Sequence, residues 1–345
     1  MKNRKDDNAS SCFFVIVILL ILVVLISMAV FCLTNPSNPQ WRDVPLAELE
    51  ENVYLKFGYR ISKPTLPIPT LQMIHEPTCE EVFADWSRIA KQPQPELPPD
   101  RFPAGSEMQY LLNNYSRVEY RYSNDKESPT GEKPRNWDRI SELMTWQADE
   151  IAGLAYGTEG LSLNHAMQAY PLLNQSGIVI GSMQPWVEVF ALKNGARKLL
   201  TSEYNPLVIP VEFQDRMSTI QPADFAENWK QYANSFDFAV SFSSIEHSGM
   251  GRYGDPMDPI GDIREMLKIK CILKPGGLLF VAFPVGPDAI VFNLHRVYGP
   301  IRFAMMMTGY ELVAVFSGYV ADPIDLTSGR LIFSKGQHTF VLRKL

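Results

Sequence analysis

The 345-residue sequence is short of several residue types, and each shortage excludes a class of protein. It has four cysteines, and the two that lie outside an apolar run near the N-terminus are too few for a disulfide framework or a metal-ligand cluster. The net charge is -6 and no dense run of Lys and Arg occurs, so the composition gives no basis for binding nucleic acid. Hydrophobic residues reach 46%, which is enough for a sizeable core.

The cysteines also limit the possible cross-links. Cys12 and Cys32 lie near the two ends of an apolar run, which leaves Cys79 and Cys271 in the main body of the chain. One disulfide between these two is possible. We favour the alternative that Cys271, within the apolar segment IKCIL, is a small buried hydrophobic residue.

The apolar run extends from Cys12 to Leu33 and contains no charged residue. At about 1.5 Å per residue, a helix of this length spans roughly 33 Å and matches a bilayer. The run exceeds the apolar segment of a cleaved signal peptide, which is the main alternative. We therefore predict a transmembrane signal anchor whose partner is the lipid bilayer.

Basic residues predict the orientation of this anchor. Lys2, Arg4 and Lys5 precede the run, and the first basic residue after it is Arg42. Cytosolic flanks carry the excess of Lys and Arg, so residues 1–11 should be a cytosolic tail and residues 34–345 should be lumenal or extracellular. This orientation predicts a type II membrane protein of the endoplasmic reticulum, the Golgi or the cell surface. Asn114-Tyr115-Ser116 and Asn174-Gln175-Ser176 are then glycosylation acceptors if exposed.

Three regions follow the anchor. Residues 34–105 carry recurrent prolines, which predict an extended stem with a short helix over 78–90. Residues 106–172 should form a helical extension, with apolar residues at helical spacing over 136–155 and a second helix over 162–172. Residues 173–345 should form the main domain.

The main domain alternates short β-type runs with helical segments, which predicts an α/β fold with a mostly parallel sheet. No long helix separates the last two strands, so we expect an antiparallel final pair. The predicted strands are 178–180, 198–202, 217–220, 238–242, 278–283, 311–316 and 339–343. The predicted helices are 185–194, 224–234 and 260–273.

In such a sheet a ligand binds beyond the carboxyl ends of the strands. The first strand ends at Gly181, and Glu203 ends the second strand, where a carboxylate can accept hydrogen bonds from both ribose hydroxyls. The loop GSMQP holds one glycine where two or three are usual. The alternative is a plain strand-turn-helix with Glu203 as a surface acid.

Several longer sequence segments resemble known families. The segments FDFAVSFSSIEHSGMGRYGDP, LKPGGLLFVAFP and GYELVAVF resemble the middle and end of a class I S-adenosylmethionine-dependent methyltransferase, a Rossmann-like fold. More closely, WVEVFALKNGA, TSEYNP, SFSSIEHSGMGRYGDP and DAIVFNLHRVYGP resemble the nematode-rich DUF268 family, a domain of unknown function. The resemblance covers roughly residues 156–345.

The class I resemblance implies S-adenosylmethionine as cofactor and assigns its contacts. The matching positions are Gly181 and Ser182 in the cofactor loop, Glu203 at the ribose, Asp224 near the adenine and Ser243 after the fourth strand. Asp224 is equally well explained as a helix N-cap within PADFAENW.

Residues after the fourth strand are candidates for catalysis and substrate binding. His247 is the candidate general base and Glu246 can orient it; a hydrogen-bonded structural histidine is the alternative. Arg252, Tyr253 and Asp255 either face the substrate or belong to a turn held by its own hydrogen bonds.

Two other groups of residues carry weaker predictions. Asp255, Asp258 and Asp262 are too loosely spaced to specify a metal, and no metal site is predicted. His295 and Arg296 can help close the pocket, although an apolar helix face built by Ile290, Val291, Leu294 and Val297 is the simpler account of that segment.

Together these features predict a membrane-anchored S-adenosylmethionine-dependent methyltransferase. It would methylate an oxygen or nitrogen of an unknown glycan, lipid or small-molecule acceptor. A non-catalytic binding or scaffold protein is the alternative that the single-glycine loop permits. A glycosyltransferase fits the anchor and stem, but the chain has no Asp-x-Asp triplet.

Overall fold

The computed structural model describes residues 44–65, 68–125, 134–326, 333 and 336–345. The predicted cytosolic tail and the anchor from Cys12 to Leu33 lie outside these residues. Among the helices that are described, none combines the length and apolar character needed to cross a membrane. Residues Leu46–Leu345 form one compact unit, which includes most of the predicted stem.

A seven-stranded sheet organises this unit. The sheet strands are β5 (Ser176–Ile180), β6 (Lys198–Ser202), β8 (Met217–Ile220), β9 (Phe236–Phe242), β10 (Leu273–Val285), β13 (Tyr310–Phe316) and β14 (Gly336–Lys344). Their spatial order is β13-β14-β10-β9-β5-β6-β8. The neighbours from β10 to β8 pair in parallel, whereas β14 is antiparallel to both β10 and β13.

This arrangement confirms the predicted α/β fold with a mostly parallel sheet and an antiparallel final pair. Each of the seven predicted strands lies within an observed strand. Numbered along the chain, the sheet reads 3-2-1-4-5-7-6, so the strand order reverses between β5 and β9. A doubly wound sheet binds ligands at such a switch point.

Helices cover the sheet. The capping box between Thr78 and Glu81 explains why the helix predicted over 78–90 begins where it does. The helices are α1 (Leu46–Asn52), α2 (Cys79–Ala90), α3 (Glu107–Tyr110), α4 (Ile140–Leu143), α5 (Ala148–Gly153), α6 (Thr158–Ala169), α7 (Trp186–Lys193), α8 (Pro222–Glu227), α9 (Gly261–Ile272) and α10 (Pro300–Met306).

The helical extension shares the core of the sheet. Leu143, Ile151 and Leu163, from α4, α5 and α6, belong to the same buried cluster as Val179 of β5 and Phe190 of α7. The segment 136–155, whose apolar residues are at helical spacing, forms two short helices. The first helix, α4, ends at Leu143, and α5 begins at a second capping box formed by Gln147 and Glu150.

Two further helix predictions were wrong. The helix predicted over 224–234 ends at Glu227. The segment with Ile290 and Leu294 forms strands β11 (Ala289–Phe292) and β12 (His295–Val297), not a helix, and β11 pairs with both β12 and β3 (Arg117–Tyr120). A short apolar run has the same periodicity in a buried strand as in a buried helix, so the pattern alone could not separate them.

The remaining strands form two small ladders. They are β1 (Tyr59–Lys63) with β2 (Thr70–Met73), and β4 (Arg135–Asn136) with β7 (Leu207–Val208).

The two cysteines of the main body are bonded. Cys79 at the start of α2 and Cys271 near the end of α9 form a disulfide across 192 residues of sequence. The favoured interpretation of Cys271 as a free buried thiol was therefore wrong. Cys271 is buried, as expected, but α2 lies beside it, and no local sequence pattern indicates that neighbour.

Candidate functional site

A cavity of about 370 Å³ opens at the switch point of the sheet. It is lined by residues that follow β5, β6 and β9 and by one face of α9. Small-molecule sites generally measure roughly 300–1,000 Å³. The cavity therefore has both the position and the size expected of a ligand site.

Gly181 makes the turn out of β5 that opens the cavity. Its φ is +71°, a left-handed conformation that favours glycine. A Cβ atom at this position would lie 2.0 Å from Ser244 Oγ, so glycine is also required by the close approach of two loops. Both loops line the cavity.

The next residue, Ser182, is held by a carboxylate of the following helix. The Ser182 hydroxyl lies 3.0 Å from Glu188 Oε2 and 3.0 Å from the Gln184 carbonyl oxygen, and it donates to this pair of acceptors. Glu188 also accepts from the Thr201 hydroxyl at 2.8 Å. Burial raises the pKa of Glu188 to about 7. Sequence analysis missed Glu188, although an acid within the apolar helix WVEVFALK is a visible signal.

Glu203 lines the cavity just after β6 and is 7% exposed. Its Oε2 accepts from the backbone N–H of Ser182 at 3.0 Å, and its Oε1 accepts from the backbone N–H and the side-chain amide of Asn205 at 3.1 and 3.3 Å. Burial nevertheless raises its pKa. A carboxylate oxygen has two acceptor positions, so Oε2 can still accept from a ligand hydroxyl. Glu203 is a buried cavity residue and not a surface acid.

Ser243, Glu246 and His247 lie close together after β9, and a hydrogen bond joins the first two. Ser243 has φ +50° and its hydroxyl donates to Glu246 Oε1 at 2.7 Å. Burial raises the pKa of Glu246 to about 7, and its Oε2 has no hydrogen-bond partner among the described residues. Ser243 and His247 line the cavity, and Glu246 lies behind them.

The His247 ring is held in one tautomer. Its Nδ1 faces the Leu294 carbonyl oxygen, which can only accept, so Nδ1 carries the proton and Nε2 is left as the acceptor. Nε2 lies 3.7 Å from Glu246 Oε1. Burial lowers the pKa of His247 to about 3, so the ring is neutral at physiological pH.

An aromatic wall, defined as Tyr156, Trp186 and Phe242, lines another side of the cavity. The ring centroids of Tyr156 and Phe242 are 5.0 Å apart, and those of Trp186 and Phe242 are 4.8 Å apart. Sequence analysis missed all three residues as site residues, because aromatic residues at strand and helix ends also occur in any core.

Asp255 lines the cavity, but its carboxylate is used by its own loop. Oδ2 accepts from the backbone N–H groups of Gly249, Met250 and Gly251 at 2.7, 2.9 and 3.0 Å. Oδ1 accepts from the N–H of Tyr253 at 3.2 Å. These are the bonds expected of the alternative interpretation, a turn held by its own hydrogen bonds.

The other predicted contacts divide between cavity and surface. Tyr253 lines the cavity, and its ring centroid lies 5.2 Å from that of His247. Arg252 is not a lining residue; its guanidinium pairs with Asp125 and lies 4.9 Å from the Tyr253 ring centroid. Asp224 is exposed within the first turn of α8, whose N-cap is Gln221, so it is not the cap and does not line the cavity.

Arg296 holds the loop after β9 from behind. It is fully buried and its guanidinium donates to four backbone carbonyls, those of Glu246, Ser248, Asp258 and Pro259. His295 is partly buried, with its ring centroid 6.4 Å from that of His247.

The loosely spaced aspartates have separate partners. Asp258 binds Arg264, and Asp262 binds Arg302. Across the residues that the structure describes, no group of three potential metal ligands occurs.

Glu265 and Lys268 also line the cavity, and sequence analysis missed both. They are three residues apart on α9, a spacing that usually marks a solvated helix face, so no local pattern indicated that they are buried. The cavity thus combines a carboxylate at the end of the second strand, a neutral imidazole, an aromatic wall and a buried ion pair.

Comparison with protein families gives one match. Residues 174–345 match the family described as "Caenorhabditis protein of unknown function, DUF268". No curated protein matches the chain.

Several solved structures overlap with part of the chain. A 1,6-didemethyltoxoflavin-N1-methyltransferase from Burkholderia thailandensis, solved with S-adenosylhomocysteine, is 12% identical, with a TM-score of 0.39 over 59% of this chain and 86% of that chain. The [4+2]-cyclase SpnF is 14% identical, with a TM-score of 0.38 over 60% and 94%. The CurJ carbon methyltransferase is 9% identical, with a TM-score of 0.38 over 56% and 57%.

Proposed function

Because the chain belongs to the DUF268 family, whose description names no activity, we propose its function from the cavity: it binds S-adenosylmethionine and transfers its methyl group to an oxygen or nitrogen of an acceptor. The observation that carries the proposal is Glu203, buried at the end of the second strand beside the Gly181 turn. A carboxylate at that place is suited to accept a hydrogen bond from a ribose hydroxyl.

The charges of the cavity favour a sulfonium cofactor over a dinucleotide. Among the described residues that line it, Lys268 is the one lysine or arginine, and it is already paired with Glu265. Glu203 and Asp255 add two further carboxylates. A pyrophosphate would meet mainly negative charge here, whereas a cationic sulfonium is attracted.

Glu203 would hold the ribose, and the Gly181 turn lets the ligand approach the backbone closely. When bound, S-adenosylmethionine supplies an electrophilic methyl group. The aromatic wall excludes water and offers polarisable ring faces to a cation. The chain's own task is then to position an acceptor and to remove its proton.

Proton removal is best assigned to Glu246 acting through its neighbours. A general base works best when its pKa lies near the working pH, which fits Glu246 at about 7 and does not fit His247 at about 3. The Ser243 hydroxyl can take the acceptor's proton while passing its own to Glu246 Oε1, to which it is already bonded. His247 Nε2 then serves as a fixed hydrogen-bond acceptor that orients the acceptor group. This reverses the roles expected from the sequence.

Isothermal titration of the folded full chain with S-adenosylhomocysteine tests the proposal. We expect binding, loss of binding in Glu203→Ala and normal binding in Asp224→Ala, which removes an exposed carboxylate outside the cavity. A folded chain that binds neither S-adenosylhomocysteine nor S-adenosylmethionine would favour a non-catalytic fold and refute the proposal.

The proposed location is the lumen or the cell exterior, with the bilayer bound through residues 12–33. The disulfide supports it, because such bonds persist in oxidising compartments. Asn114 and Asn174, both exposed, are available to carry glycans there. In microsomes, glycosidase digestion should shift the intact chain and leave a chain with both asparagines replaced by glutamine unshifted. A wild-type chain without a shift, together with a C-terminal tag open to protease, would contradict the orientation.

A further inference from the structure

Glu265 and Lys268 give the cavity a charged group that the proposed mechanism does not use. Both residues lie on the inward face of α9, together with Ile269 and Ile272, which also line the cavity. Glu265 is 8% exposed and Lys268 is 4% exposed. An ion pair this deeply buried contributes little net stability, since desolvating both charges offsets their attraction.

Contacts on both sides fix the position of the pair. Lys268 Nζ donates to Glu265 Oε1 at 2.8 Å and lies 4.3 Å from the ring centroid of Trp86. Trp86 belongs to α2, which the disulfide from Cys79 joins to α9. The ammonium group is therefore held in a defined place at the cavity wall.

The pair also has unused hydrogen-bonding capacity. Lysine has three N–H donors, and one of them serves Glu265. Glu265 Oε2 accepts no hydrogen bond from any residue that the structure describes. The group thus offers a charged donor beside a charged acceptor.

The surrounding walls suit a flat heterocycle. Tyr204, Pro222 and Phe225, which follow β6 and β8, line the same cavity as Glu203 and the ion pair. Apolar walls with a few placed polar groups are the usual pattern of a small-molecule site.

We infer that Glu265 and Lys268 read the edge of the adenine base, with Glu265 accepting from the exocyclic amino group and Lys268 donating to a ring nitrogen. The inference rests on the proposed function, because it needs a nucleoside in the cavity. It adds a specificity-determining pair that distinguishes adenine from a base with the opposite order of donor and acceptor.

The test compares S-adenosylhomocysteine with S-inosylhomocysteine, in which an oxygen replaces the amino group. Calorimetry on the full chain should show a preference of roughly tenfold or more for the adenosyl compound. In Glu265→Gln the preference should fall towards unity, because an amide can present either its oxygen or its NH₂ group. Lys268→Met should weaken both ligands. Lys230→Met is the matched control, since Lys230 also pairs with a glutamate, Glu80, and lies near a tryptophan ring, but it is exposed.

The outcomes separate the inference from the proposed function. If the wild-type chain binds S-adenosylhomocysteine and both cavity variants keep its affinity and preference, the inference is wrong and the function stands. If the wild-type chain binds neither compound, the proposed function itself fails. Melting curves identify a variant that does not fold, and the uncharged double variant Glu265→Gln/Lys268→Met, which leaves no unpaired charge, then replaces it in the comparison.

Discussion

Replacing Gly181 by alanine tests the turn that opens the cavity. Two costs add at this position. A non-glycine residue in the left-handed region costs roughly 1–2 kcal/mol, and forcing a Cβ to within 2.0 Å of Ser244 Oγ costs about 1–3 kcal/mol as its neighbours move. We expect Gly181→Ala to lower the free energy of unfolding by about 2–5 kcal/mol and to weaken S-adenosylhomocysteine binding.

A matched glycine isolates the second cost. Gly276 has nearly the same φ, +74°, but an added Cβ there would meet nothing within 4 Å. Gly276→Ala should therefore lower the free energy of unfolding by about 1–2 kcal/mol. The difference between the losses in the two variants measures the cost of the contact with Ser244. Urea unfolding followed by tryptophan fluorescence is suitable, because Trp186 lines the same cavity.

A double variant tests directly whether Ser244 causes the extra loss. Ser244→Gly removes both atoms that the new Cβ would meet, so adding it to Gly181→Ala should restore the part of the loss that exceeds the Gly276→Ala value. Equal losses in Gly181→Ala and Gly276→Ala, unchanged by Ser244→Gly, would refute the close approach of the two loops.

Three other predictions follow from the site. Glu203→Gln should weaken S-adenosylhomocysteine binding by roughly tenfold or more, because charge-assisted hydrogen bonds are about twice as strong as neutral ones; unchanged calorimetric affinity in a folded variant would remove Glu203 from the site. The rate of methyl transfer should rise with pH through about 7 as Glu246 ionises, and this rise should be absent in Glu246→Gln. The pKa of His247, about 3, predicts no titration of His247 above pH 4. If His247→Gln abolished the rise and Glu246→Gln did not, His247 would be the base. Cys79→Ser should lower the free energy of unfolding by about 2–5 kcal/mol relative to the oxidised wild type; equal urea midpoints would contradict the bond to Cys271.

The sheet could be predicted because its signals are local. A strand such as β6 is a short β-type run between turn residues, and its predicted bounds, 198–202, coincide with the observed strand. Glu203 was located by the same logic, since the end of a parallel strand lies at the ligand edge of the sheet. These inferences need no knowledge of distant parts of the chain.

The chemistry of the site could not be predicted because it depends on distant neighbours. His247 is neutral and fixed in one tautomer because of burial and of the Leu294 carbonyl, 47 residues further along the chain. The Ser182 hydroxyl donates to Glu188 on the next helix, and burial raises the pKa of that glutamate to about 7. A local pattern can indicate which residues belong to a site, but it does not indicate their protonation states.

The same dependence extends beyond the part of the chain that matches the family. Tyr156, part of the aromatic wall, precedes the matched residues 174–345, and so does Trp86, which lies against Lys268. Residues of α4, α5 and α6 also fill the core beneath the sheet. A chain reduced to the matched segment would expose that apolar surface, remove Tyr156 from the cavity lining and remove Trp86 from Lys268, so the folded unit that encloses the cavity is larger than the segment by which the family is recognised.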